Sequence, residues 1–256
     1  MENIIFGVRP VIETIEAGRQ IDKVMVKKGA DGLGVQHLRE LCRTRKIQLQ
    51  DVPVEKLNRL VRGGNHQGVV AQASAVEYAD IAEVVAEVQE RGETPLIVVF
   101  DGVTDVRNFG GIARSAECAG AHALIMPTKN SAPVGADAVK TSAGALNRIP
   151  VCRVGSVRNT LRYLQEQGMQ VVAANEKSDM LLYDTDLAKP TVLVMGSEET
   201  GISKEILKIC DATLAIPLKG TIESLNVSAA AAVILFEVVR QRLAPKKKAV
   251  RTAAKK

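Results

Sequence analysis

The chain has 256 residues, with Lys+Arg 34 against Asp+Glu 29, a formal net charge of +5 and a hydrophobic fraction of 46%. A chain that long exceeds what one ordinary core holds, so two moderate domains are expected, and the apolar content excludes disorder except at the ends. The slight basic excess, with an isoelectric point near 9.0, favours a polyanionic partner without identifying one.

Over residues 1–75, short apolar runs alternate with helical spacing. The pattern predicts a helix over 11–17, a strand over 23–27, a helix over 35–45 and strands over 47–52 and 68–74, together a small α/β domain. Residues 76–94 read as a linker with its own helix over 81–91, ending in the loop Gly92-Glu93-Thr94-Pro95. A second α/β domain is expected over 95–243. It opens with Leu96-Ile97-Val98-Val99-Phe100, a continuous apolar run that belongs in a parallel sheet buried on both faces. Strands are predicted over 122–126, 150–154, 169–174, 191–195 and 212–216, with helices between them and a long apolar helix over 225–242. Residues 244–256 form a basic tail with no amphipathic run, expected to be disordered, either solubilising or touching RNA.

The familiar signatures of α/β enzymes are missing: there is no GxGxxG, no GxxxxGK[ST], no GxSxG and no HExxH. Cys42, Cys118, Cys152 and Cys210 form no CxxC pair and read as reduced thiols. His37 and His122 read as exposed and structural respectively, while loop geometry and RNA contact are both open for His66. The three make no cluster, so no metal is expected. The start of the chain lacks a basic and then apolar leader, and no apolar run is long enough to span a bilayer, so a cytoplasmic protein is expected.

Open α/β sheets bind ligands beyond the carboxyl ends of their strands, and three loops stand at such ends. In the first, Asn108 opens a helix with Ile112, Ala113, Ala116 and Ala119 on one face and Arg114 close by. Taken singly, an ordinary N-cap and a surface cation explain Asn108 and Arg114. In the second, Gly196 directly follows a buried strand, which suits close approach of backbone to a ligand, and Glu198 comes two residues later. A turn glycine and a helix-capping carboxylate explain that pair equally well. In the third, Ser224, Asn226 and Ser228 converge where the last helix begins, and Ser224 alone suffices as its cap.

Read together, D-V-R-N-F-G-G-I-A-R (Asp105 to Arg114), V-M-G-S-E-E-T-G (Val194 to Gly201) and I-P-L-K-G-T-I-E-S-L-N-V-S (Ile216 to Ser228) resemble the three ordered motifs of the SpoU/TrmH branch of the SPOUT methyltransferases. Phe6-Gly7 and His66-Gln67-Gly68-Val69-Val70-Ala71 resemble the small ribosomal-protein-like RNA-binding domain of its 23S rRNA guanosine-2'-O-methyltransferase subgroup. The resemblance spans nearly the whole chain except the tail. It implies a parallel α/β sheet with a trefoil knot, a homodimer, S-adenosyl-L-methionine as cofactor, and 23S rRNA or a ribosome precursor as partner. It also implies that Gly196, Ile216, Leu218, Leu225 and Ser228 hold the cofactor. Arg114, Asn108, Glu198, Ser224 and Asn226 would then carry methyl transfer to a ribose 2'-hydroxyl. A guanidinium is a poor base, so the role implied for Arg114 is to stabilise the developing alkoxide and grip a phosphate. One departure is visible. Asp105 is followed by Val106 where the family usually has proline, and losing a fixed φ is expected to loosen that loop. The alternatives are action on tRNA or another rRNA site, including enzymes of the antibiotic-resistance type, and a catalytically silent RNA-binding ribosome-assembly protein.

Overall fold

A computed structural model describes residues 4–243; the basic tail expected over 244–256 lies outside them. The first half contains β1 (Ile4–Phe6), α1 (Val8–Glu16), β2 (Ile21–Lys27), α2 (Leu33–Thr44), β3 (Gln48–Val52), α3 (Val54–Val61) and β4 (Val69–Ala73). Its strands form one sheet in the order β1-β4-β2-β3, antiparallel except for the parallel pair of β2 and β3. The period-2 alternation of side chains divides the sheet between two cores. Val24, Val26, Val69 and Ala71 pack with Val11, Ile15 and Leu38 of α1 and α2, whereas Met25 and Val70 pack with Leu57 and Val61 of α3. The expected elements are present, and β1 and α3 are additional.

The second half contains β5 (Tyr78–Ala79), α4 (Ile81–Glu90), β6 (Leu96–Asp101), α5 (Val106–Cys118), β7 (Ala123–Pro127), α6 (Ala136–Thr141), β8 (Val151–Val154), α7 (Val157–Glu166), β9 (Gln170–Ala174), β10 (Thr191–Gly196), α8 (Lys204–Leu207), β11 (Ala212–Leu214) and α9 (Val227–Leu243). Its sheet runs β11-β9-β10-β6-β7-β8-β5, and every neighbouring pair is parallel. The apolar run of β6 is buried on both faces as its composition requires. Leu96, Val98 and Phe100 face the layer of α5 and α9, while Ile97 and Val99 face that of α4 and α7. In the expected linker, Tyr78 and Ala79 pair with Val151 and Cys152, so this stretch supplies the edge strand of the second sheet.

Two boundaries differ from expectation in ways that matter for function. The last helix begins at Val227 rather than at residue 225, which leaves Ser224, Leu225 and Asn226 in a loop. The strand expected over 212–216 ends at Leu214, and beyond it Ala215 bridges to Leu181. The C-terminal half of α9 is tied down by side chains. Gln241 Nε2 donates to the Thr185 carbonyl at 2.9 Å, and Arg242 donates to the carbonyls of Thr94, Pro95 and Lys189.

Two of the histidines have structural surroundings and one is exposed. His66 is buried; its Nδ1 accepts from the Gly68 N–H at 2.9 Å, which leaves Nε2 as the donor to Asn58 Oδ1. His122 accepts from the Leu96 N–H, and His37 is exposed beside Glu16. Among the described residues no His, Cys, Asp or Glu group could hold a metal ion, and no helix is long and apolar enough to cross a membrane.

Burial pushes three thiols up, Cys42 to about 11 and Cys152 and Cys210 to about 12, while Cys118 is exposed on α5. The thiolate is the nucleophile, so the raised groups stay protonated and inert near neutrality. With a disulfide dye at pH 8, Cys118 is expected to react rapidly and the other three only after denaturation; fast reaction of a second thiol in the native protein would contradict this burial.

Candidate active site

The three loops singled out in the sequence meet at the carboxyl edge of the seven-stranded sheet. Each is held by a different device. At the first, the Asp105 side chain accepts from the N–H groups of Arg107 and Asn108, both at 2.9 Å. Asp105, not Asn108, therefore caps α5, and a carboxylate there also suits the positive end of the helix dipole. These two bonds define the start of α5, which begins at Val106 without the proline. Downstream, the Phe109 ring packs on Phe100 of β6 with centroids 4.8 Å apart.

The motif glycines are explained by packing. A Cβ at Gly110 would lie 2.1 Å from Thr141 Oγ1, and one at Gly111 would lie 3.0 Å from Ser228 Cβ. Glycine at 110 is required for α6 to approach α5 this closely, and at 111 a side chain would press the start of α9 outward by a few tenths of an ångström.

The second loop folds back on itself through Ser197 and Gly201, whose backbones exchange hydrogen bonds of 3.1 and 3.0 Å. The Ser197 hydroxyl accepts from the Thr200 N–H at 3.0 Å, and Asp101 anchors the far side by accepting from the Ser203 N–H at 2.7 Å. Glu198 stands at the tip of this turn. A Cβ on Gly196 would come within 2.3 Å of the Gly201 carbonyl carbon and 2.5 Å of the Ile202 nitrogen, both rigid backbone atoms. Close approach is what requires glycine here, but of backbone to backbone.

At the third loop, Asn226 caps α9: its Oδ1 accepts from the N–H groups of Ser228 and Ala229 at 3.0 and 3.3 Å and from the Ser228 hydroxyl. This overturns the reading of Ser224 as the cap. Because those donors fix the oxygen end of the Asn226 amide, its nitrogen points the other way. Asn226 Nδ2 donates to Asn108 Oδ1 at 2.9 Å and to Glu198 Oε1. One side chain thus joins all three loops.

Behind this junction lies a cavity of about 490 Å³, lined by Gly196, Glu198, Ile216, Leu218, Ser224, Leu225 and Asn226 among others. Asn108 and Ser228 are one hydrogen bond away from the lining, through Asn226. Arg114 is not brought into the cavity. It lies about 9 Å further along α5 than Asn108 and about a third of a turn round, and its exposed side chain has no partner among the described residues. Sequence reasoning missed Ala174, Asn175, Glu176 and Lys177, which also line the cavity. Ala174 ends β9 and the other three follow it, where the rule that ligands gather at strand carboxyl ends covers them; the loop has no glycine or proline, and its mark is Asn175, whose Oδ1 accepts from the Lys177 N–H at 3.1 Å.

The lining suits a ligand with a flat heteroaromatic part and polar ends. Apolar Ile216, Leu218, Leu225 and Ile234 provide one surface, and carboxylates and amides of Glu176, Glu198, Asn175 and Asn226 stand around it. Among the described residues no backbone N–H or carbonyl from 216 to 225 has a backbone partner. Such unmatched peptide groups beside a concave surface are ready to read the edges of a heterocycle. Adenine, ribose and amino-acid portions of S-adenosyl-L-methionine fit this set of donors, acceptors and apolar walls.

Comparison with known proteins agrees with this geometry. A family model described as the SpoU rRNA Methylase family matches residues 95–236, and one described as RNA 2'-O ribose methyltransferase substrate binding matches residues 4–79. A protein of Yersinia pestis named 23S rRNA (guanosine-2'-O-)-methyltransferase RlmB is 37% identical over 243 residues, covering 94% of this chain and 98% of its own. The SpoU methyltransferase AviRb from Streptomyces viridochromogenes, solved in complex with AdoMet, is 29% identical with a TM-score of 0.61, covering 94% of this chain and 91% of its own. An AdoMet-bound rRNA methyltransferase from Sinorhizobium meliloti is 26% identical with a TM-score of 0.60, covering 94% and 88%. The chain belongs to the SpoU rRNA methylase family and is an S-adenosyl-L-methionine-dependent RNA 2'-O-methyltransferase.

Gly196→Ala is expected to displace the Ser197–Gly201 turn, and with it Glu198, lowering affinity for S-adenosyl-L-methionine by roughly tenfold or more, about 1.4 kcal/mol. Isothermal titration calorimetry checks this; wild-type affinity would show that the turn yields without disturbing the cavity.

Proposed function

We propose that the protein methylates the ribose 2'-hydroxyl of a guanosine in 23S rRNA, in the cytoplasm and as a homodimer. The observation that carries this reading is the convergence of Glu198, Asn108 and the 216–226 loop on one cavity through Asn226. The Yersinia pestis relative, aligned along nearly all of both chains, supports guanosine and 23S rRNA as the target. In this reading residues 1–75 grip RNA, 76–94 connect, 95–243 transfer the methyl group and 244–256 form a basic arm. The second domain is a trefoil knot. The segment after β9 runs beside the exit of β11, where Leu181 bridges Ala215, and this supports threading of the C-terminal chain past that loop. On α9, Val233, Phe236 and Leu243 are exposed at spacings that share one helical face, which supports burial against a second copy.

The reaction forms a bond between the ribose oxygen and the methyl carbon, breaks the bond from carbon to sulfur, and releases the hydroxyl proton. S-adenosyl-L-methionine supplies a methyl group already activated by its cationic sulfur. The chain must hold oxygen and carbon in line and ease the departure of the proton. Gly196, Ile216, Leu218 and Leu225 hold the cofactor, with Ser228 fixing the loop through Asn226. Glu198, Asn108, Ser224 and Asn226 order the mouth of the cavity and orient the ribose. Arg114, exposed and unpaired, presents its guanidinium to the RNA. There it grips a phosphate and stabilises the developing alkoxide, remaining charged throughout.

Arg114→Ala is expected to leave cofactor affinity unchanged and to lower methyl transfer to 23S rRNA by about a hundredfold to a thousandfold. Normal turnover would remove Arg114 from the chemistry. Mapping ribose methylation in a strain lacking the protein tests the target directly: a 2'-O-methylguanosine should vanish from 23S rRNA, and an unchanged map would overturn that substrate.

A further inference from the structure

Asp22 belongs to β2, yet its side chain is only 5% exposed. Along β2 and β4, Ile21 pairs with Ala73 but Lys23 pairs with Gln72, so Asp22 is the extra residue of a β-bulge. A bulge re-aims a side chain out of the regular alternation. Here the carboxylate is turned towards the other half of the chain. Asp22 Oδ2 accepts from the Val134 N–H at 3.0 Å, and Oδ1 accepts from the Tyr78 hydroxyl and from Arg153 Nη1 at 3.4 Å. Arg153 also donates to the carbonyls of Ile21, Asp22 and Thr128, at 3.3, 2.7 and 3.3 Å, and its guanidinium carbon lies 5.4 Å from the centre of the Tyr78 ring. A backbone bond from the Ala75 N–H to the Val134 carbonyl, 2.7 Å, completes the junction.

Stability alone does not account for this arrangement. A buried ion pair gains little over apolar groups of the same shape, because desolvation offsets the attraction, and Arg153 Nε is left buried without a partner. Orientation does account for it. An apolar contact lets two surfaces slide, whereas this set of directed bonds is satisfied in one relative placement. That placement is informative. Arg153 lies near the carboxyl end of β8, Thr128 follows β7, and Val134 lies in the loop leading to α6. Since all strands of the sheet are parallel, these points share an edge with the cavity. β8 stands three places from β10 in the sheet, about 14 Å at ordinary strand spacing.

We propose that Asp22, Arg153 and Tyr78 are positioning residues for the methyl transfer: they fix the RNA-gripping half at a set reach from the cavity and thereby select which ribose is presented. This rests on the methyltransferase reading above. RNA held by residues 1–75 meets the cavity as a tethered reactant, and the effective concentration of one chosen ribose depends on how well the tether's geometry is fixed. Loosening the junction lowers turnover at saturating RNA and lets neighbouring riboses enter, while cofactor affinity, set wholly within the second half, is untouched.

The test compares the full-length wild type with Asp22→Asn and the milder Tyr78→Phe, which removes one hydroxyl and keeps the ring. Both are expected to speed amide exchange in peptides covering 74–79 and 131–135, to bind S-adenosyl-L-methionine with wild-type stoichiometry and affinity, and to leave the KM for 23S rRNA nearly unchanged. The kcat should fall roughly tenfold to a hundredfold, as a misplacement near 1 Å does, and mapped 2'-O-methylation should spread to adjacent nucleotides. Faster exchange with wild-type kcat and a single methylated ribose would overturn the proposal, as would unchanged exchange. If Asp22→Asn loses cofactor binding, Tyr78→Phe decides on the same criteria. Failure of the wild type to methylate any RNA would instead defeat the underlying reading, a result distinct from both.

Discussion

The amide of Asn226 is the interaction on which the site depends. Its oxygen satisfies the free N–H groups at the start of α9 while its nitrogen reaches Asn108 and Glu198. Aspartate would cap the helix as well, but it has no donor and would set a second carboxylate against Glu198. Asparagine alone among the good caps both accepts and donates in fixed directions. The first loop follows β6, far along the chain from β10 and β11, which precede the other two, so no local preference holds it to them. This junction, supported by the close packing of Gly110 and Gly111, does so.

The same junction separates two kinds of residue that the motifs present side by side. Asp105, Gly110, Gly111 and Ser228 build the contact between α5 and its neighbours. Glu198, Ile216, Leu218, Ser224 and Leu225 line the cavity. Arg114 belongs to neither set. Its exposed guanidinium forms no ion pair among the described residues, which leaves its five donors for an external polyanion.

Much of this was legible beforehand. The buried parallel strands announced themselves by continuous apolar runs, and the loops by glycine and polar clusters at strand ends. What escaped had physical reasons. β1 has three residues and β5 two, too short to show a period. Asn226 could not be told from Ser224 as a cap, because choosing between them requires knowing where the helix axis starts. The loop after β9 has no glycine or proline, and Asn175, which closes its turn, marks a turn without marking a ligand site. Asp22 was invisible for a different reason: it fell just outside the strand expected over 23–27, and only the one-residue shift in register reveals where its side chain points. At His66, one of whose two readings was loop geometry, the structure shows a turn closed by the residue's own ring.

The order of strands in the second sheet has a consequence for how the protein is made. β6 occupies the centre of the sheet beside β10, whose residues emerge almost a hundred positions later, and the core over β6 is closed by Ile234, Leu235 and Val238 of α9. Sheet and core are therefore assembled from contacts between distant parts of the chain, the slow kind. During synthesis the four-stranded unit, complete by Ala73, can close while the ribosome is still translating. The catalytic half must wait, with its apolar strands exposed, until α9 has left the exit tunnel.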